Sequence, residues 1–226
     1  MLAPEINSGV KTLVVDVGGT HVKVLATGRR APIKIDSGHA MTPRLMVNAV
    51  KDATADWKYD RVSVGYPGPV RDGKAARDPW NLGPGWVGFD FRKAFGKPVR
   101  VVNDAAMQAL GSYEGGNMLF VGLGTGLGTT MIRDGVLVPL ELAHLPYRHG
   151  KTYEEYVGDA GYRRLGKHAW RTHVLAILEL FVAALVVDYV VLGGGNSRHM
   201  KDLPPNVRLG SNANAFTGGF RLWNDE

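Results

Sequence analysis

Apolar residues in this chain fall in short β-branched runs that end on glycine or on Asn-Asp, and the order of the runs repeats. Thr12 to Val15 predicts a buried strand, followed by the turn Gly18-Gly19-Thr20 and a returning strand from His21 to Ala26. Leu45 to Trp57 predicts an amphipathic helix. Strands follow at Arg61 to Val64 and at Val99 to Val102. The second ends at Asn103-Asp104, after which Ala105 to Tyr113 reads as helix. The pattern then restarts, with a strand from Met118 to Val121, a glycine-rich turn from Gly122 to Gly128, and a strand from Thr129 to Arg133. Strand, glycine turn and strand thus head each half of the chain. This duplication predicts two related α/β lobes, residues 1–105 and 106–226, with a cleft between them.

Val174 to Leu192 is apolar over roughly the length of a membrane-spanning helix. Glu179 and Asp188 interrupt it, and Val186 to Leu192 is β-branched and runs into three glycines. A buried helix leading into a buried strand is therefore expected, not a membrane span. Met1 to Asn7 is polar and contains Pro4, unlike the apolar stretch of a secretory leader.

Composition narrows the chemistry. The 226 residues are 45% hydrophobic and 21% charged, ordinary for a globular protein, and include no cysteine. Disulfides and thiolate metal sites are excluded, and a reducing, cytoplasmic setting is compatible. The formal charge of +6 favours anionic partners such as phosphates or polyphosphate. The cations are scattered, with no run longer than Arg29-Arg30 or Arg163-Arg164, which does not make a nucleic-acid stripe.

Five constellations carry candidate chemistry. In Asp16-Val17-Gly18-Gly19-Thr20 with Lys23, two glycines let backbone N–H groups approach an anion, while Thr20 and Lys23 add a hydroxyl and a positive charge. Asp16, at a strand's carboxyl end, could hold Mg²⁺ directly or through water; a tight hairpin turn is the plainer reading. Gly122 to Gly128 alternates glycines around Leu123, Thr125 and Leu127, so Gly124, Thr125 and Gly126 form a second cradle. It fits neither the dinucleotide fingerprint nor a P-loop. Asn103-Asp104 offers a carboxylate that could accept the proton of an attacking hydroxyl, or could simply cap a helix. Glu141-Leu142-Ala143-His144, with Glu154, provides carboxylates and an imidazole suited to gripping sugar hydroxyls. A metal reading of that set has no common ligand spacing. Gly193-Gly194-Gly195 would let adenosine or a phosphate chain lie against bare backbone.

In this order the motifs resemble the ROK family (repressors, open reading frames and kinases) of the actin-like ATPase superfamily, over about Val14 to Gly195. Asp16 to Thr20 is similar to the family's first phosphate motif, Asn103-Asp104-Ala105 to its catalytic segment, and Gly122 to Gly128 to its second phosphate motif. Glu141 to His144 resembles its E-x-G-H sugar motif, and Tyr153 to Val157 its L-E-x-Y segment. Within the family, the resemblance is nearest to the bacterial polyphosphate glucokinases. It implies two ribonuclease-H-like lobes, a glucose-type hexose held by Asn103, Asp104, Glu141, His144 and Glu154 with Asn81 as a further candidate, and Asp104 as base. It also implies polyphosphate or ATP as donor on the glycine turns, Mg²⁺ near Asp16, and a homodimer. A kinase for mannose or an amino sugar and an inactive sugar-binding relative are the alternatives. Repressors of the family carry an N-terminal DNA-binding domain, and with the first phosphate strand beginning by Thr12 none is expected here. Two departures stand out. Many members bind structural zinc through cysteines after the sugar motif, and Pro146 to Thr152 has none, so no zinc is expected. Ala143 replaces the motif glycine, a costly exchange if that position needs a positive φ.

Overall fold

A computed structural model describes residues 9–211 and 213–224; the polar start from Met1 to Asn7 lies outside the described residues. The chain divides into two compact units. The first contains β1 (Thr12–Val17), β2 (His21–Ala26), β3 (Ile33–Asp36), α1 (Pro43–Ala53), β4 (Arg61–Tyr66), the small pair β5 (Val70–Arg71) and β6 (Lys74–Ala75), α2 (Phe91–Phe95) and β7 (Val99–Asn103). The chain enters the second unit inside α3 (Asp104–Ser112), after Asp104. That unit holds β8 (Asn117–Leu123), β9 (Leu127–Arg133), β10 (Val136–Leu140), the hairpin β11 (Pro146–Arg148) and β12 (Lys151–Thr152), α4 (Tyr153–Val157), α5 (Asp159–Leu185), β13 (Tyr189–Gly193) and β14 (Val207–Leu209). The chain returns to the first unit inside α6 (Asn214–Arg221), at Gly219.

Each unit is built on one five-stranded sheet, and the two sheets have the same plan. Their orders are β3-β2-β1-β4-β7 and β10-β9-β8-β13-β14. In each, the first three strands in the chain pair antiparallel as a meander and the last two add in parallel. The expected duplication is therefore a duplication of topology. The central parallel strands β1, β4, β8 and β13 are buried along nearly their whole length. Leu13, Val15, Val62 and Val64 join Met46, Val47 and Val50 of α1 in the first core. Leu119, Val121, Val190 and Leu192 join Trp170, Val174, Ile177, Leu178 and Phe181 of α5 in the second.

Local chemistry explains where several elements begin and end. Thr42 caps α1 by accepting from the Leu45 N–H (3.3 Å), with Pro43 in the first turn, so the helix starts two residues before the apolar run suggests. α5 is long and apolar enough to cross a membrane by length and composition alone. It begins at Asp159, well before the apolar stretch, and kinks at Gly166 (φ 73°). Val186, with a left-handed φ of 52°, ends it three residues before β13. A helix running into a buried strand is thus what Val174 to Leu192 forms.

The C-terminal segment corrects the expected lobe boundary, which had placed everything after residue 105 in the second lobe. Trp223 is buried between the guanidinium groups of Arg61 and Arg100 (4.8 and 4.5 Å) and donates its indole N–H to Ser63 Oγ (2.8 Å). Ser63 in turn donates to the Gly219 carbonyl (2.6 Å), and Arg100 donates to the Leu222 carbonyl. These polar anchors on β4 and β7 hold the terminus in the first unit.

Helices α3 and α6 cross at glycines. A Cβ at Gly111 would collide with the Asn214 backbone, and one at Gly218 with the Met107 carbonyl. Asn214 also donates its side-chain amide to Ser112 Oγ (2.8 Å) beside the crossing. Helix propensity alone favours Ala over Gly by about 1 kcal/mol. Overpacking costs typically 1–3 kcal/mol, and more where the obstacle is backbone that cannot rotate away. Gly111→Ala is therefore expected to destabilise by about 1–2 kcal/mol net, read as a lower midpoint in urea unfolding. A raised midpoint would mean that the crossing is loose.

Candidate active site

In the first unit the carboxyl ends of three parallel strands line up. Asp16 of β1 pairs with Gly65 of β4, which pairs with Val102 of β7; Asn103 lies one row further on, beside Tyr66. With neighbouring strands about 4.8 Å apart, the Asp16 and Val102 backbones are separated by about 10 Å. Ligands of open α/β sheets bind beyond such strand ends. Asp104 follows directly as the first residue of α3, one residue earlier than the sequence pattern suggests, at a helix end that favours negative charge. Asn103 donates its amide to the Gly68 carbonyl (3.0 Å), which ties β7 to the loop after β4.

The turn between β1 and β2 carries the first glycine motif. Gly18 and Gly19 are needed for close approach and not for a left-handed φ: a Cβ at Gly18 would meet the His21 carbonyl at 2.7 Å, and one at Gly19 would run into the Asn81 amide. Thr20 accepts the Ser37 N–H (3.0 Å) through its carbonyl. Asp16 faces Lys23 across the β1–β2 ladder, with Lys23 Nζ 3.7 Å from Asp16 Oδ2 and the Asp16 side chain only 14% exposed. Burial pushes the Asp16 carboxyl above the ordinary carboxylate value, and the Lys23 charge and hydrogen bond pull in the opposite direction.

Asn81 is positioned by a loop that the sequence reading did not single out. Asp78 accepts backbone N–H groups from Gly85 (3.1 Å), Trp86 (2.8 Å) and Val87 (3.2 Å), and those bonds hold its carboxyl below the usual range. Trp86 is fully buried and donates its indole N–H to the Gly83 carbonyl (2.7 Å). Tyr66 donates its hydroxyl to the Arg77 carbonyl (2.6 Å). The available signal was Asp78 followed by Gly83, Pro84 and Gly85 ahead of a tryptophan, a turn-rich segment with its own carboxylate clamp.

In the second unit the remaining candidates cluster. The Gly124 N–H bonds the Gly126 carbonyl (3.1 Å) within the turn between β8 and β9. Glu154 lies on this turn, with Oε2 accepting the Leu127 N–H (3.0 Å) close against Gly126. The residue expected to grip sugar is thus also a clamp on the second glycine motif. Asp159, at the start of α5, donates its N–H to the Thr125 carbonyl (3.2 Å). Gly193 pairs with Gly122, and Gly194 (φ 79°) passes so close to the Leu123 backbone that no side chain fits. Asn196, after Gly195, donates to the Gly124 carbonyl (3.4 Å). The second and third glycine motifs therefore form one patch of bare backbone.

Glu141 precedes a short 3₁₀ turn, Leu142–His144, and its Oε2 lies 3.8 Å from His144 Nε2 with both side chains exposed. The turn is held to β9 by Thr129, whose hydroxyl donates to the Leu140 carbonyl (3.0 Å) and accepts the Leu142 N–H (3.2 Å). Ala143 does not have a positive φ, and its methyl is buried in the second core, so the replacement of glycine there carries no backbone strain. The segment Pro146 to Thr152 forms the β11–β12 hairpin. Tyr147 packs against Tyr153 (5.2 Å), Tyr156 (5.0 Å) and His173 (5.7 Å), with its hydroxyl 3.2 Å from His173 Nδ1. Among the described residues no three His, Asp or Glu side chains gather as a metal cluster.

The chain is 27% identical over 206 residues to a polyphosphate glucokinase of Mycobacterium tuberculosis (strain ATCC 25177 / H37Ra), covering 81% of this chain and 77% of the relative. Among solved structures it is similar to an inorganic polyphosphate/ATP-glucomannokinase from Arthrobacter sp. strain KM, with a TM-score of 0.77, 24% identity, and 95% of this chain and 98% of that one covered. It is also similar to a ROK family glucokinase from Streptomyces griseus solved with glucose and AMPPNP, with a TM-score of 0.74, 17% identity, and coverage of 96% and 100%. The chain shares the fold of these two structures. Residues 12–139, more than half of the chain, match the sequence model of the ROK family, from the first glycine motif through the second, and the chain belongs to that family.

Proposed function

We propose that the protein is a sugar kinase that moves a phosphoryl group from polyphosphate or ATP to a hydroxyl of a glucose-type hexose. The observation that carries this reading is the placement of Asp104. It stands at the head of α3, immediately after Asn103 of β7, which lies one row beyond the strand-end row that holds Asp16. The chain also supplies two glycine turns that pack closely against Asn81 and against Glu154. Phosphoryl transfer asks little covalent chemistry of a protein; it asks for positioning, charge neutralisation and a group to take the hydroxyl proton.

In this reading the candidate sugar ligands of the first unit are Asn81, Asn103 and Asp104, and those of the second unit are Glu141, His144 and Glu154. Asp104 accepts the proton of the attacking hydroxyl. Gly18, Gly19, Thr20 and Lys23, and Gly124, Thr125, Gly126, Gly193, Gly194 and Gly195, receive donor phosphates. Asp16 fits a hard divalent cation, because Mg²⁺ is commonly held by one or two carboxylates with waters and substrate phosphates completing the shell. When bound, Mg²⁺ would neutralise charge on the donor. Homologous names support both polyphosphate and ATP as donors and glucose as acceptor.

A coupled assay presenting glucose with polyphosphate or with ATP tests the proposal directly, and absence of turnover with both would end it. Asp104→Asn is expected to lower kcat by roughly 10²–10⁴-fold with a much smaller change in sugar affinity, measured by steady-state kinetics and glucose titration. Near-normal turnover would leave Asp104 as a helix-terminal residue only.

Asp16 has a separate signature in stability. Its folded proton affinity lies above the unfolded value, so the folded state retains a proton that the unfolded state has released. Stability therefore falls as pH rises above about 3.8, the ordinary value, through the raised folded value. Asp16→Asn should be at least as stable as the parent at pH 7, with the difference vanishing below that window, while kinase activity is lost. A lower melting temperature for the variant at pH 7 would show that the Lys23 pair outweighs burial.

A further inference from the structure

The glycine run after β13 leads away from the second glycine turn onto a cationic surface. The connecting element is the 3₁₀ turn Gly195–His199. At its start Asn196 reaches the Gly124 carbonyl (3.4 Å). At its far end the His199 ring stacks on Tyr162 of α5 (4.8 Å, 11°), and the His199 carbonyl accepts from Arg171 Nε (2.6 Å). A 3₁₀ turn rises about 2 Å per residue, so the five residues span about 10 Å.

Three cations gather at that far end. The imidazole of His199 is held below its ordinary proton affinity, first by burial and then by the charges of Arg198, Lys167 and Arg171. Other arginines of the same helix are already engaged. Arg163 is paired with Asp159, and Arg164 donates to the Glu155 carbonyl (2.7 Å) and lies over the Tyr156 ring. Lys167, Arg171 and Arg198, by contrast, have no carboxylate within ion-pair distance among the described residues. The buried Nη2 of Arg171 also lacks a protein acceptor. Like charges held together without counter-charge repel, and an anion laid along them relieves that repulsion.

We propose that Lys167, Arg171 and Arg198 form a track for the distal phosphates of a polyphosphate chain whose reactive end lies at Gly124 to Gly126. The inference rests on the donor reading given above and adds the residues that discriminate a long donor from a short one. A nucleoside triphosphate or tripolyphosphate ends near the glycine turn and leaves the track unused. A long chain continues along the Gly195–His199 turn and exchanges its counterions for the three cations. That exchange makes its affinity salt-dependent, as for other polyanions.

The test uses Lys167→Glu/Arg198→Glu, two exposed positions, with a melting curve to show that the variant is folded. Long-chain polyphosphate, tripolyphosphate and ATP are compared as donors, and binding of end-labelled long-chain polyphosphate is measured without glucose at several salt concentrations. The KM and the dissociation constant for the long chain should each rise about tenfold or more, with a shallower salt dependence. The values for ATP, tripolyphosphate and glucose should stay within about twofold, since those ligands do not reach the track. Unchanged long-chain binding and KM in the variant overturn the track, and so does an equal rise with ATP. If the parent protein uses ATP but neither binds nor uses long-chain polyphosphate, the donor reading falls and the track with it. If the parent uses polyphosphate and the variant matches it, the track alone falls.

Discussion

Everything at the first unit's candidate site depends on the register of three buried parallel strands. β1, β4 and β7 are locked by the apolar set Leu13, Val15, Val17, Val62, Val64, Tyr66 and Val101 on one face, and a slip of one residue would turn that set to the opposite face. With the register held, Asp16, Gly65 and Val102 share a row, and Asn103 and Asp104 emerge together at its end. The same register brings a buried carboxylate against Lys23 on the neighbouring antiparallel strand. Burying Asp16 costs stability that a wholly apolar strand end would not. Such a cost is tolerable where the charge later meets a cation or a phosphate-bound metal.

The second unit solves a related problem with bare backbone. Gly126 admits the Glu154 carboxylate, and Gly194 admits the Leu123 backbone, so two turns and the first residues of α4 and α5 condense around β8. Side chains at those positions would hold the turns apart. The clamp at Glu154 also gives one residue two conceivable duties, since a carboxylate has two oxygens and only Oε2 is accounted for by the Leu127 N–H. The cationic end of the Gly195–His199 turn continues from this close-packed backbone.

Much of this was legible in the sequence. Short β-branched runs ending on glycine located β1, β2, β4, β7, β8 and β9, because such runs have few alternatives to buried strands. Their repetition foretold two sheets of the same plan, and the spacing of Asp16, Asn103-Asp104 and the glycine turns marked the family. The edge strand β3, the small pairs, α2 and α6 carried no comparable pattern, since short elements with half-exposed faces resemble loops in composition.

What the sequence by itself determined, then, was which residues could bear charge, bond anions or form buried strands, because those properties are local. Which of them meet was decided only by tertiary structure. Ser63 and Trp223 are 160 residues apart, and their bond returns the C-terminus to the first unit. Glu154 lands on Gly126, Asn81 on Gly19, and Lys167, Arg171 and Arg198 around His199, each through packing between elements distant in the chain. Close approach of this kind leaves no local mark beyond a glycine, and a glycine does not say what it is making room for.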